Sequence, residues 1–164
     1  LVPGLGDGTP AQDAQSSLDQ RLRGLGLPPP EVRDVDVDSG RMSAPYDVVP
    51  EPSIELRTRL TSVALASVGG GLVVTIADPD NSVTFPAATG SWALSDPRER
   101  HGDVIPVAAS AGVTADGALR IEVIFLETPH RMDIVCSPVE RSARAAWRTT
   151  PLHGGWLETL HRPT

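Results

Sequence analysis

The sequence predicts a mainly β protein, an eight-stranded antiparallel up-and-down β-barrel preceded by one N-terminal helix and a Pro-rich linker. Two observations carry that expectation. From about residue 60 onward, short apolar segments with a period of two alternate with clusters of turn residues. The 164-residue chain also holds 15 Gly and 16 Pro, more than average usage but short of a disordered or collagen-like composition. Its length and 40% hydrophobic content suit one modest core.

Residues 9–23 form the one persuasive helix. Thr9 can cap it, Pro10 suits the first helical position, Gln12 completes a capping-box spacing and Gly24 stops it. Ala11, Ala14, Leu18, Leu22 and Leu25 share one stripe, while Asp13, Gln15, Asp19 and Arg23 lie elsewhere, so the helix has a face to bury. Pro28, Pro29 and Pro30 then force an extended spacer, and Val32, Val35 and Val37 alternate with acidic residues. Residues 31–59 read as an extended linker or edge strand. Within them Pro45, Pro50 and Pro52 limit ladder hydrogen bonds, and Tyr46, Val48 and Val49 can form a short edge strand.

Residues 60–164 form the expected barrel domain. Its strands are read at 60–68, 72–77, 82–85, 91–94, 105–111, 119–127, 131–136 and 142–149. The links carry turn chemistry: Gly69-Gly70-Gly71, Pro79-Asp80-Asn81, Ala115-Asp116-Gly117, Thr128-Pro129 and Ser137-Pro138. Alternation is clearest for Leu119, Ile121, Val123 and Phe125, then for Met132, Ile134 and Cys136, and for Ala143, Ala145 and Trp147. Closure into a barrel removes the edges that a flat meander would leave exposed. Eight strands leave room for side chains or for one small ligand.

Charge and composition exclude several chemistries. All 14 basic residues are Arg, and there is no Lys. A phosphate-loop Lys, a Schiff-base Lys and a Ser-x-x-Lys nucleophile pair are therefore absent. A net charge of -7 with scattered Arg residues argues against nucleic-acid and anionic-membrane partners. No apolar run approaches a membrane span and no signal peptide is evident. The single Cys136 excludes an internal disulfide framework and is compatible with a cytoplasmic location, the expected compartment. Leu1 opens the chain and the first Met is Met42, which reads as a fragment or a processed piece.

No catalytic, cofactor-binding or metal-binding residue is expected. The nearest approach to a nucleophile elbow, Ala108-Ala109-Ser110-Ala111-Gly112, lacks the first Gly and lies in a strand. His101, His130, His153 and His161 show no metal-ligand spacing. Two loops supply candidate contact residues. Glu127, His130 and Arg131 surround one turn and can contact a carboxylate or a partner, or form a charged hairpin rim. His153, Gly154, Gly155 and Trp156 form a flexible loop whose large aromatic can anchor an interface or plug one end of the barrel. The mixed-charge run 96–103 reads as a solvated face.

The runs Arg120-Ile121-Glu122-Val123-Ile124-Phe125-Leu126-Glu127-Thr128-Pro129-His130-Arg131 and Ala145-Ala146-Trp147-Arg148-Thr149-Thr150-Pro151-Leu152-His153-Gly154-Gly155 resemble the C-terminal tail of actinobacterial serine hydrolases related to class C β-lactamases, the CubicO-type or penicillin-binding-protein-like hydrolases. The resemblance implies that residues 1–30 are the link from the end of a preceding catalytic domain. It implies a partner, the serine hydrolase catalytic domain, covalently preceding or associated, and homo-oligomers are a further possibility. The family's nucleophile pair is absent from this chain. His153-Gly154-Gly155 superficially matches the third motif but follows the last strand, so that role is not carried over.

Two functions follow as expectations. The first is a noncatalytic accessory β-barrel that covers or shapes the active-site cleft of such a hydrolase or mediates assembly. The alternative is a stand-alone lipocalin-like module holding a small apolar ligand in a hollow interior. An enzyme in its own right has only the Glu127, His130 and Arg131 cluster in its favour.

Overall fold

The computed structural model describes residues 45–50, 53, 58–69, 71–95, 105–151 and 157–160. Nine strands follow one another: β1 Pro45–Val48, β2 Ser62–Val68, β3 Gly71–Ala77, β4 Ser82–Thr89, β5 Ala93–Leu94, β6 Val107–Val113, β7 Leu119–Phe125, β8 Arg131–Ser137 and β9 Ser142–Thr149. A 3-10 turn, Leu157–Leu160, comes last. The sequence-predicted helix over 9–23 lies outside the described residues.

Eight of these strands close a barrel in the order β1-β2-β3-β4-β6-β7-β8-β9. Two antiparallel meanders, β1–β4 and β6–β9, are joined edge to edge at two parallel seams. One seam pairs Asp47 with Ser142 and Val48 with Ala143. The other pairs Ala88 with Ser110 and Thr89 with Ala111. The barrel is thus mainly β and eight-stranded as expected, but two of its joins are parallel instead of antiparallel.

Membership also differs in two places. Pro45–Val48, expected as linker or edge strand, is a wall strand paired on both sides. Its proline stands at the strand's first residue, where a missing N–H is tolerated, and Tyr46 points into the core. The segment 91–94, expected as a full barrel strand, contributes only the two-residue β5. Gly90, at φ 65°, lets β4 reverse there, so that β5 runs back beside β6 while β4 makes the closing seam.

The other turns are built from local polar chemistry. Asp78 Oδ1 accepts the amides of Asp80 at 3.0 Å and Asn81 at 2.7 Å, which folds the β3–β4 turn. The second oxygen of the same carboxylate accepts the Leu157 amide at 2.9 Å and fixes the C-terminal 3-10 turn to this rim. We call this end, which also carries the β7–β8 turn, the upper rim. At the lower rim Thr114 Oγ1 donates within the β6–β7 turn and Gly117 adopts φ 84°.

Alternate residues of the long strands face inward, and most of them are fully buried. Val63, Val74, Ile76, Phe85, Ile121, Val123, Ile134, Cys136 and Trp147 belong to one continuous cluster. Phe125 and Trp147 meet with ring centroids 5.8 Å apart, and Leu157 and Leu160 of the 3-10 turn join the same core. Burial of this kind contributes about 1.5–3 kcal/mol per large side chain. The core therefore fixes the register of each strand, because a one-residue slip would turn its apolar set outward.

Cys136 tests how tightly that interior is filled. Burial pushes its thiol up to about 12, so essentially no thiolate exists at pH 8. Cys136 should fail to react with a disulfide reagent such as Ellman's reagent at pH 8 in the folded chain and react fully after denaturation in urea.

Candidate interaction surface

Each strand's outward residues follow from the inward set by simple alternation. On β7 these are Arg120, Glu122 and Ile124, and on β8 they are Arg131, Asp133 and Val135. The pairing of β7 with β8 places Glu122 directly opposite Asp133, an arrangement that is unfavourable for two carboxylates by themselves.

Three guanidinium groups resolve the repulsion. Arg131 donates to Glu122 Oε1. Arg120 approaches Asp133 Oδ2 at 3.1 Å, and Arg148 Nε donates to the same oxygen at 2.7 Å. Arg148 reaches Asp133 because of a bulge in β9: Arg131 pairs with Thr149 but Met132 pairs with Trp147, leaving Arg148 as the extra residue. The hydrogen bond to Asp133 holds the Arg148 guanidinium above its ordinary value.

Burial divides this network. The Glu122 side chain is only 7% exposed, whereas that of Arg148 is 46% exposed. Removing the partner of a buried carboxylate leaves an uncompensated charge, while an exposed pair contributes little. At pH 8, Arg131→Leu should lower unfolding free energy by about 3 kcal/mol and Arg148→Leu by less than about 1 kcal/mol, as measured by urea denaturation.

The β7–β8 turn brings Glu127, His130 and Arg131 together on the upper rim, as the sequence suggested. All three are half-buried. The His130 ring meets Trp147 edge-on, with centroids 6.1 Å apart at 70°, so the turn is anchored to the core aromatic. Thr128 Oγ1, His130 Nδ1 and Arg131 Nε are buried polar atoms without a hydrogen-bond partner among the described residues, as is Asp133 Oδ1. Buried polar atoms without partners are unusual in folded proteins, and these four gather at the β7–β8 turn and the adjoining wall.

His153, Gly154, Gly155 and Trp156 lie outside the described residues. Beyond them Leu157 and Leu160, both fully buried, cover the core at the upper rim. Sequence reasoning passed over Arg120, Glu122, Asp133 and Arg148. Alternation alone assigned the first three to the outer face, but their convergence depends on hairpin register, and that of Arg148 on the bulge. Among the described residues no three His, Cys, Asp or Glu side chains gather as a metal site requires.

Desolvation lowers the His130 pKa from its ordinary 6.5, and a hydrogen bond to the Thr149 backbone opposes that shift. The folded state therefore binds a proton at this residue less readily than the unfolded state does. Stability from this group is complete above pH 6.5 and is lost as pH falls through the lowered folded-state value. His130→Phe should flatten the fall in melting temperature below pH 6.5.

No family model, curated protein or solved structure matches the chain.

Proposed function

We propose that this chain is a noncatalytic accessory β-barrel of a β-lactamase-like serine hydrolase, covering or shaping the active-site cleft or mediating assembly. The observation that carries the reading is the distribution of chemistry across the barrel wall. Inward positions are taken by mutually packed apolar side chains, and the polar, hydrogen-bonding groups lie on the outer wall and upper rim. A barrel built in this way works through its outer surface. The two runs that resemble the hydrolase tail contribute to this polar surface: the first spans β7 and the β7–β8 turn, and the second contains Arg148.

The packed interior weighs against the lipocalin-like alternative, since Val123, Phe125, Met132, Ile134 and Trp147 occupy the space that a small apolar ligand would need. The proposed partner is the serine hydrolase catalytic domain, and the proposed setting is cytoplasmic, where a single thiol such as Cys136 stays reduced.

The native polypeptide containing residues 119–131 tests this reading when recovered from source cells and sequenced by mass spectrometry. The expected result is a species several tens of kilodaltons larger than 17.3 kDa, with a Ser-x-x-Lys peptide in the added N-terminal part. A native species near 17.3 kDa would refute it.

A further inference from the structure

The lower rim carries an open cavity of about 260 Å³ between two neighbouring turns, β6–β7 and β8–β9. Asp116 of the first turn and Glu140 of the second both line it, together with Val135, Val139 and Arg144. Val135 and Arg144 stand directly opposite each other on β8 and β9. Both point outward, since their neighbours along each strand are buried. The cavity therefore belongs to the outer wall and is separate from the packed interior.

Hydroxyl groups hold both carboxylates in place. The Thr114 hydroxyl bonds Asp116 Oδ1 and keeps that carboxyl below the usual carboxylate range. Ser142 Oγ donates to Glu140 Oε2 at 3.1 Å, and the Glu140 amide donates to Ser137 Oγ at 3.2 Å, which fixes the turn that carries Glu140. Arg144 differs from both. Among the described residues its guanidinium makes no ion pair or side-chain hydrogen bond, although it lines the same cavity as the two acids. A guanidinium presents five donors in a fork that matches a carboxylate.

The neighbouring arginines are engaged elsewhere. Arg120 flanks Val135 from β7 but is paired with Asp133 at 3.1 Å. Arg141 is not part of the lining, and its charge acts on the Tyr46 hydroxyl of the interior. Two carboxylates against one guanidinium leave the lining one charge negative, so its complement carries one carboxylate and an excess of positive charge. The volume lies below the roughly 300–1,000 Å³ of pockets for drug-sized ligands, which sets a small molecule as occupant. Among the described residues no third His, Cys, Asp or Glu joins the two acids, so they suit an organic cation better than a metal ion. A free amino acid with a basic side chain meets every requirement, its methylene groups lying against Val135 and Val139.

We propose that the lower-rim cavity binds a basic free amino acid, with Arg144 clamping the α-carboxylate and Asp116 and Glu140 receiving the cationic groups. The site lies at the end of the barrel opposite the β7–β8 turn and stands independently of the hydrolase reading.

L-Arginine titrated into the full 164-residue chain, followed by methyl NMR, tests it. The methyl signals of Ala118, Val135 and Val139 should shift and saturate, while those of Val63 and Val74, in the core of β2 and β3, should stay. Agmatine, which lacks the carboxylate, and L-citrulline, which lacks the side-chain charge, should each bind about ten-fold more weakly. Arg144 is exposed, so Arg144→Gln should keep the native melting temperature. That variant should weaken L-arginine by the same factor and leave agmatine unchanged, a pattern that a merely structural role for Arg144 would not produce. Absence of a saturable shift with L-arginine would overturn the proposal. So would equal binding of L-citrulline, or native-like binding of L-arginine by the Arg144→Gln variant.

Discussion

The structure depends on closure at two short parallel seams. Each joins the meanders through only two residue pairs, yet together they turn two four-stranded sheets into a barrel with one interior. Without them the inward faces of β1–β4 and β6–β9 would each need another cover, and β9 and β4 would present edges open to pairing with other chains. β1 makes the first seam possible because Tyr46 buries itself between β2 and β9, and Pro45 gives up only an N–H that the strand's start can spare. Gly90 makes the second possible by letting the chain leave β4 as soon as it has touched β6.

Once the barrel is closed, the division of labour across its wall follows. The inward set is apolar and packed about Trp147 and Phe125, so polar chemistry is confined to the outside. There the β7–β8 register forces Glu122 and Asp133 together, and Arg120, Arg131 and Arg148 make that juxtaposition tolerable. Asp78 contributes differently, with one carboxylate folding the β3–β4 turn and securing the C-terminal cap over the upper rim. Loss of that group would disturb both, since its buried oxygens satisfy amides from two distant parts of the chain.

The central strands were legible because their code is local. Leu119, Ile121, Val123 and Phe125, or Met132, Ile134 and Cys136, alternate with polar or exposed residues, and burial of one sheet face demands that pattern. Strand membership at the seams was less legible. The wall role of Tyr46 rests on partners far along the chain, and its surrounding prolines speak for linker. The segment 91–94 has strand-like composition, but its fate is decided by the reversal at Gly90. The Glu127, His130 and Arg131 turn was visible as a chemical cluster, whereas the Glu122 and Asp133 network needed cross-strand register and a bulge that no spacing rule in one strand reveals. The second candidate loop, His153 to Trp156, lies outside the described residues.

Amide hydrogen exchange at the β1–β9 seam addresses closure most directly. The Val49 amide donates to Ala143 O at 2.8 Å and the Asp47 amide to Arg141 O at 3.3 Å. In a barrel held shut at this seam, these amides exchange only with the global unfolding that exposes core amides such as those of Ile121 and Ile134. Exchange of Val49 and Asp47 orders of magnitude faster than that core, through local opening, would contradict closure and leave an open sheet.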